Sequence, residues 1–271
     1  MNRPRLSKSG IEYLDYAWNF YSGCLNGQNG VCPVGESCWA KKITERFKSH
    51  YPNGFEPTFY PKAFLSPLSL EKPSRIGVCF MGDLFGDWVD PDMDSGFVRA
   101  PEMPHLTLRK IVFHAIGYCP QHTFLFLTKN PAGYLRWGKF PNNCWLGTSL
   151  TGLEQDFYLR VKALQDIQAT VKFISFEPLL TCIGLPNRYP TEFLFADGIS
   201  RVIIGSQTKP YRPPEVAWVK EIVEAADKAG AKVFLKENLR PLLYQERNGP
   251  WGRPPLWAAN SSGNLRQELP V

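Results

Sequence analysis

The sequence feature that most constrains the fold is an alternation, from about residue 76 onward, of short apolar runs with longer amphipathic segments. Runs that are apolar at nearly every position are typical of parallel strands buried on both faces. There are six such runs, at 76–80, 123–127, 144–147, 171–176, 201–205 and 232–235. A further strand is expected over 16–21. The pattern therefore predicts a sheet of mostly parallel strands.

Helical spacing of apolar residues marks the segments between these runs, at 106–117, 154–165 and 214–229. The last of them opens at Pro214 and stops at Gly230, as helices commonly do. Repeated strand–helix–strand units give parallel strands joined by right-handed crossovers. We expect an α/β fold, a partial or full parallel (β/α) barrel of the TIM type with about six or seven strands. A doubly wound open sheet is the rival, but no glycine-rich turn follows the first strand.

A chain of 271 residues suits a single barrel domain. We assign residues 1–244 to that domain, with a cysteine loop at 23–39 and an added loop at 86–104. Residues 245–271 form a Pro/Gly-rich tail, which we expect to pack on the barrel through Trp251, Trp257 and Leu265.

Composition favours a cytoplasmic protein without a membrane anchor. The first residues contain no apolar signal core, and no run approaches about 18 consecutive apolar residues. Seven cysteines, an odd number, argue for reduced thiols rather than a disulfide framework. The net charge of +6 mildly favours an anionic partner such as a nucleic acid or nucleotide, although an ordinary solvated surface accounts for it equally well.

Each apolar run ends in a short polar cluster, and parallel strands would bring these clusters to one opening. The clusters are Met81-Gly82-Asp83, Thr128-Lys129-Asn130, Thr148-Ser149, Glu177-Pro178, Gly205-Ser206-Gln207 and Lys236-Glu237-Asn238. Any strand leaves the core through polar residues, so one cluster alone carries little weight. Pro178 restricts the backbone of Glu177 to an extended form, which would aim its carboxylate in a fixed direction.

Three cysteines, Cys24, Cys32 and Cys38, lie within fifteen residues on a segment rich in glycine. Reduced thiolates on such a loop bind soft metals or iron–sulfur clusters. A helix expected over 40–51 would direct its positive N-terminus toward that negative charge. Zinc remains open, but it needs a fourth ligand from elsewhere, such as Cys79 or His122. Burial as small apolar side chains fits a glycine-rich loop poorly.

Eight motifs, in order from Trp18 to about Asn238, resemble a phage-associated three-cysteine-motif family of unknown function that is regarded as radical-SAM-like. They are WNFYSGC, CWAKK, MGDLFGDWV, QHTFLFLTKNP, NCWLGTSL, KFISFEPLL, VIIGSQT and VFLKENL. The closing LRQELP also resembles a family ending. The chain departs from the family in its cysteine gaps of seven and five residues and in Phe20, where the family has proline. Longer loops can still close on a cluster, because closure entropy grows slowly with length.

The resemblance implies a radical-SAM type barrel and an enzyme that cleaves S-adenosylmethionine (SAM) to start radical chemistry, with an external electron donor. It implies a 4Fe-4S cluster held by Cys24, Cys32 and Cys38, whose open iron binds the amino and carboxylate groups of SAM. The further residues that it implies are Met81, Gly82, Asp83, Ser149 and Glu177 for SAM, and Thr128, Lys129, Lys236 and Glu237 for the substrate.

The substrate is unknown, with a nucleic acid or nucleotide as one candidate. The alternative function is a nucleic-acid-associated module in which the loop holds zinc or a structural cluster without SAM chemistry. The net charge, the basic stretch 41–48 and aromatics expected to be exposed, such as Trp137, motivate it.

Overall fold

The computed structural model describes residues 6–28, 30, 32–96, 106–183, 190–244 and 252–269. The chain forms two compact units. An N-terminal unit comprises Met1–Leu146 with Ile167–Thr170, and a C-terminal unit comprises Gly147–Asp166 with Val171–Val271.

Twelve strands lie in the described residues: β1 (Leu6–Lys8), β2 (Tyr16–Trp18), β3 (Tyr21–Ser22), β4 (Thr58–Phe59), β5 (Arg75–Val78), β6 (Thr123–Thr128), β7 (Cys144–Ser149), β8 (Val171–Phe176), β9 (Ile199–Ile204), β10 (Gln207–Thr208), β11 (Tyr211–Arg212) and β12 (Lys232–Leu235). The α-helices are α1 (Trp39–Arg46), α2 (Leu108–Gly117), α3 (Phe157–Gln165), α4 (Val216–Lys228) and α5 (Arg240–Leu243). Short 3₁₀ segments cover Pro61–Ala63, Ser66–Ser69, Pro131–Trp137, Thr191–Phe195, Glu237–Leu239 and Leu256–Ala258.

Eight strands form the central sheet in the order β1-β2-β5-β6-β7-β8-β9-β12. Strand β5 pairs in parallel with β2 and β6, and β9 pairs in parallel with β8 and β12, whereas β1 is antiparallel to β2. The α/β prediction is confirmed, with one strand more than expected. The order follows the chain without the reversal of a doubly wound sheet. Among the described strands β1 and β12 remain the two ends of the sheet, so a fully closed barrel is not formed by them.

Aromatic packing dominates the core of the N-terminal unit. Phe85 lies at the centre, within 4.2–6.0 Å, ring centroid to centroid, of the surrounding aromatic residues Phe126, Tyr134, Trp137 and Phe140. Helix α2 buries its apolar residues, among them Ile111 and Val112. Each large side chain of this kind contributes about 1.5–3 kcal/mol when removed from water.

The C-terminal unit buries an apolar face of α4, formed by Val219, Ile222, Val223 and Ala226. The described part of the tail lies against β12: the Leu235 amide donates to the Arg266 carbonyl at 2.8 Å, and Leu265 is buried. Trp251 and the rest of 245–251 lie outside the described residues, as do 97–104 of the added loop. No α-helix in the described ranges has both the length and the apolar character needed to cross a membrane.

Two elements near the cysteines differ from expectation. The strand expected over 16–21 is interrupted at Asn19 and Phe20, and β3 pairs instead with β4 in a separate antiparallel pair. The helix expected over 40–51 ends at Arg46, because Phe47 (φ −112°, ψ 54°) leaves helical geometry. Residues 47–51 then turn back, with the amides of His50 and Tyr51 both donating to the Phe47 carbonyl.

Candidate functional site

The cysteine loop leaves β3 directly against the carboxyl end of β5. The Gly23 amide donates to the Met81 carbonyl at 3.0 Å, and the Asp83 amide donates to the Gly23 carbonyl at 3.3 Å. A Cβ on Gly82 would lie 2.3 Å from the Gly23 carbonyl oxygen, so only glycine permits this approach. Gly23 itself has φ of +95°, which also favours glycine. The start of the loop is therefore fixed by backbone contact with a strand end.

Asp83 is the polar centre of this junction and is only 4% exposed. Its carboxylate accepts hydrogen bonds from Asn26 Nδ2 at 2.8 Å, Thr128 Oγ1 at 2.6 Å, and the amides of Lys129 at 3.0 Å and Phe85 at 3.1 Å. Four donors compensate the cost of burying a carboxylate. The ends of β5 and β6 and the cysteine loop are thus joined through one side chain.

Asn26 carries the connection from Asp83 to two of the cysteines. Its amide donates to the Cys24 sulfur at 3.4 Å, and its carbonyl accepts from the Cys32 amide at 3.0 Å. Residue-type reasoning did not single Asn26 out. The available signal was an Asn two residues after the first cysteine, since Asn commonly organises loop backbone.

The second half of the loop folds back on the first and ends in α1. The Cα atoms of Gly27 and Gly35 approach so closely that a Cβ on Gly35 would lie 2.9 Å from the Gly27 Cα. The Cys38 amide donates to the Gly35 carbonyl at 3.4 Å, and Cys38 occupies the N-cap of α1. The third cysteine therefore lies at the amino end of a helix, where backbone N–H groups favour negative charge.

The three thiols share one electrostatic environment. Burial, followed by the charges of Asp83, Cys32 and Cys38, raises the pKa of the Cys24 thiol to about 12. All three are free and partly exposed. Three cysteine sulfurs are the donor type that soft metals and iron–sulfur clusters take.

Single metal ions are a different case. In the parts of the chain that the structure describes, no three His, Cys, Asp or Glu side chains converge on one ion position. The zinc alternatives Cys79 and His122 are both buried, and the ring Nε2 of His122 lies 3.1 Å from the Leu70 carbonyl.

The other N-terminal candidates surround the same strand ends. Met81 is buried and its amide donates to Asn19 Oδ1 at 3.3 Å. The Thr128 hydroxyl is directed to Asp83 and accepts from the Asn130 amide at 2.9 Å, while Lys129 is half-buried. The structure gives Thr128 and Asp83 a holding role. Their assignment to substrate and SAM, like that of Met81, Gly82 and Lys129, stays a prediction.

The C-terminal unit has a polar edge of its own at the ends of β8, β9 and β12. Glu177 forms an ion pair with Lys236 and accepts a hydrogen bond from Ser175 Oγ at 2.8 Å. Both charged side chains are less than one-fifth exposed. A Cβ on Gly205, between them in the sheet, would lie 2.9 Å from the Lys236 side chain. Glycine at the end of β9 therefore leaves room for the pair.

Asn238 and Ser206 extend this edge. The Ser206 amide donates to Asn238 Oδ1 at 3.0 Å, and Asn238 Nδ2 donates to the Ser206 carbonyl at 2.9 Å. Glu237 is exposed and pairs with Arg240, which lowers the pKa of its carboxyl. Ser149 ends β7 and is buried. The ligand roles of Ser149, Glu177, Lys236 and Glu237 stay predictions.

One aromatic residue is placed otherwise than expected. Trp137 is buried, 1% exposed, in the aromatic core around Phe85, so it offers no surface for a partner. Packing against the neighbouring aromatic rings explains why Trp137 is buried.

A family model described as "Protein of unknown function (DUF5131)" matches residues 8–239. The chain belongs to the DUF5131 family. The DUF5131 match spans the cysteine loop, Asp83 and both members of the Glu177–Lys236 pair, and it ends before the tail. The expected membership in a family of unknown function is confirmed, while the phage and radical-SAM associations stay predictions. No curated protein and no solved structure matches the chain.

Proposed function

We propose that this chain is a cytoplasmic, radical-SAM-like iron–sulfur enzyme. Cys24, Cys32 and Cys38 would hold a 4Fe-4S cluster. When bound, such a cluster supplies one electron that cleaves SAM to methionine and a 5′-deoxyadenosyl radical, with the electron coming from an external donor. All seven cysteines are free, which agrees with a reducing compartment.

The observation that carries the proposal is the attachment of the cysteine loop to the carboxyl end of a parallel strand. The contact between Gly23 and Gly82 and the hydrogen bond from Asn26 to Asp83 hold the loop at the edge where α/β enzymes place their chemistry. A metal loop that served only stability would have no need of this edge. Chain-ordered parallel strands also support a partial barrel rather than a doubly wound sheet.

The chain's own residues would supply position and charge. Asp83 and Thr128 hold the loop in register with β5 and β6, and Asn26 sets the backbone between the first two cysteines. Met81, Gly82, Asp83, Ser149 and Glu177 are proposed for SAM, and Thr128, Lys129, Lys236 and Glu237 for the substrate. A half-buried ion pair such as Glu177–Lys236 can exchange its internal partner for a charged ligand.

One observation favours the second candidate, a nucleic-acid-associated module with zinc or a structural cluster. The outer face of α1, next to Cys38, carries several exposed cations. Both candidates need the three thiols, so they differ in SAM cleavage and, where the loop holds zinc, in the metal.

The test is anaerobic reconstitution with iron and sulfide, followed by metal and sulfide analysis and an assay for 5′-deoxyadenosine in the presence of SAM and dithionite. We expect about four irons per chain and SAM cleavage. Cys24→Ala should lose both. Cys182→Ala is the matched control, because Cys182 is also free and partly exposed but lies outside the loop.

Stoichiometric zinc without iron after reconstitution would refute the cluster and favour the second candidate. If Cys182→Ala and Cys24→Ala reduced iron binding equally, the cysteine loop would not be the site.

A further inference from the structure

The outward face of α1 carries an unusual set of exposed side chains. Trp39 is 51% exposed and Phe47, at the C-cap, is 45% exposed, although both are large apolar residues. Trp39, Lys42, Ile43 and Arg46 occupy positions i, i+3, i+4 and i+7 of the helix, so they lie on one side of it. We call Trp39, Lys42, Ile43, Arg46 and Phe47 the α1 strip.

The strip lies opposite the residues that anchor the helix. Ala40 and Thr44 are the buried residues of α1, and Thr44 Oγ1 donates to the Lys41 carbonyl at 2.8 Å. Trp39 is therefore not one of the buried residues of the helix, and about half of its surface meets solvent. Aromatic residues and arginine are enriched at binding interfaces relative to the rest of a protein surface.

Charge on and beside the strip is predominantly positive. Residues 39–50 contain four cations, Lys41, Lys42, Arg46 and Lys48, against one carboxylate, Glu45. Within the described ranges, no carboxylate lies at ion-pairing distance from any of these four cations. The Arg46 guanidinium instead lies 5.3 Å from the centroid of the Phe47 ring. The cations are thus available to an external anion.

Aromatic rings beside unpaired cations suit single-stranded nucleic acid, because bases stack on the rings while phosphates meet the cations. From Trp39 to Phe47 the helix rises about 12 Å, the length of a few stacked nucleotides. A paired duplex would hide its base faces from the rings. An acidic peptide would satisfy the charges but leave the indole without a stacking partner.

We propose that the α1 strip binds single-stranded nucleic acid and delivers it beside the cysteine loop, whose third cysteine directly precedes Trp39. This deepens the proposed function by naming its substrate class, and it rests on that function only in treating the bound strand as substrate. Binding itself needs no cluster.

The test is fluorescence anisotropy of a labelled single-stranded oligonucleotide of about 15 nucleotides, as DNA and as RNA, with the anaerobically purified full chain. We expect affinity that falls steeply with salt, as phosphate contacts require. Trp39→Ala should weaken binding about tenfold. The double variant Lys42→Glu/Arg46→Glu should weaken it at least as much and flatten the salt dependence.

Matched controls change equally exposed residues of the same unit away from the strip. Tyr118→Ala removes an aromatic ring that is 68% exposed, and Lys139→Glu reverses an exposed lysine. Both should bind as the unaltered chain does. Circular dichroism and the unfolding temperature of every variant would show that the fold is kept.

Three results would overturn the proposal: no binding by the unaltered chain, equal losses in the controls, or tighter binding of a duplex of the same sequence. Displacement by polyglutamate at equal charge would overturn it too, since polyglutamate has no bases. Measuring both SAM cleavage and oligonucleotide binding on the unaltered chain separates the two proposals. Oligonucleotide binding by the unaltered chain without iron-dependent SAM cleavage refutes the proposed enzyme but not binding at the α1 strip. SAM cleavage without oligonucleotide binding refutes only the proposal for the α1 strip.

Discussion

Asp83 places a negative charge between the cysteine loop and two strand ends, in a position that is almost closed to water. A buried carboxylate is tolerated there because four donors reach it: an amide side chain, a hydroxyl and two backbone N–H groups. Its charge also contributes to the raised pKa of Cys24. This geometry makes Asp83 a positioning residue for the cysteines.

Asp83→Asn is expected to destabilise the chain by about 3 kcal/mol and to lower its iron content after reconstitution. The side-chain NH₂ group of the new asparagine would face a hydrogen-bond donor, where the carboxylate oxygen of Asp83 accepts a hydrogen bond. The charge-assisted hydrogen bonds would also be lost. Urea unfolding followed by circular dichroism measures the stability, and iron analysis after reconstitution measures how much iron the loop binds. Asp87→Asn, the same change at a highly exposed carboxylate, serves as the control and should leave both nearly unchanged.

Residue type alone revealed the three cysteines of the loop but not Asn26, the side chain that organises the loop around them. Cys24, Cys32 and Cys38 stand out because metal ligands are few and their clustering is visible in one dimension. Asn26 acts through a contact with Asp83 fifty-seven positions away, and no local pattern reveals such a pairing. Trp137 shows the converse, since an isolated Trp in a polar-looking segment gives no sign that it is buried among distant aromatics.

At the scale of elements, Asp15 joins the start of β2 to the start of β5. Its carboxylate accepts from the Arg75 amide at 2.8 Å and from Arg75 Nε and Nη2 at 3.1 and 2.9 Å. The Asp15 amide in turn donates to the Arg75 carbonyl at 2.9 Å. The hydrogen bonds from Arg75 hold the pKa of the Asp15 carboxyl below its usual value.

Asp15→Asn should lower stability by about 1 kcal/mol at neutral pH, a modest value because solvent partly screens the pair. A carboxyl with a lowered folded-state pKa stabilises the fold above its ordinary pKa of about 4. That contribution disappears as the pH falls through the lower folded-state value. The difference between the two proteins in urea should therefore shrink on acidification.

Asp92→Asn removes an exposed ion pair with Arg109 and is the control, with an effect near zero. If the Asp15→Asn difference were constant down to acid pH, the carboxylate charge would not be its source.

Strands were more predictable than the connections around the cysteines. Strands β8 and β12 have the bounds that their apolar runs indicate, because strands buried on both faces need continuous apolar sequence. Strand β1 has three residues and an edge position, so its sequence carries no such pattern. Helix α1 ends early although Ile43, Phe47 and Tyr51 keep helical spacing, because Phe47 leaves helical geometry and its ring is 45% exposed, so the spacing does not mark a buried helical face.

At the scale of the whole molecule, each unit presents polar residues at the carboxyl ends of its own parallel strands. The N-terminal unit places the cysteine loop and Asp83 there, and the C-terminal unit places the Glu177–Lys236 pair there. Strand order was predictable from alternating sequence patterns, because short crossovers leave few topologies. The proposed cluster would be bonded only to cysteines of the N-terminal unit. Its effect on stability should therefore originate in that unit.

Loading with iron and sulfide should raise the unfolding temperature of the chain, because a ligand bound to the folded state alone shifts unfolding by mass action. At a free-ligand concentration of about 100 times the dissociation constant the gain is about 3 kcal/mol. For a chain of this length that corresponds to roughly 5–10 °C. Scanning calorimetry under anaerobic conditions measures it, and Cys182→Ala should show the same rise.

Hydrogen exchange locates the effect. The amides of Gly23 and Asp83, which join the loop to the end of β5, and the amide of Lys129, which donates to Asp83, should exchange more slowly after loading, because opening them would release the bound group. Amides in the pairing of β9 with β12 should change less. An equal rise in the unfolding temperature of Cys24→Ala, or slower exchange only in the C-terminal unit, would place the iron elsewhere, because neither follows from a group held by the loop and anchored through Asp83.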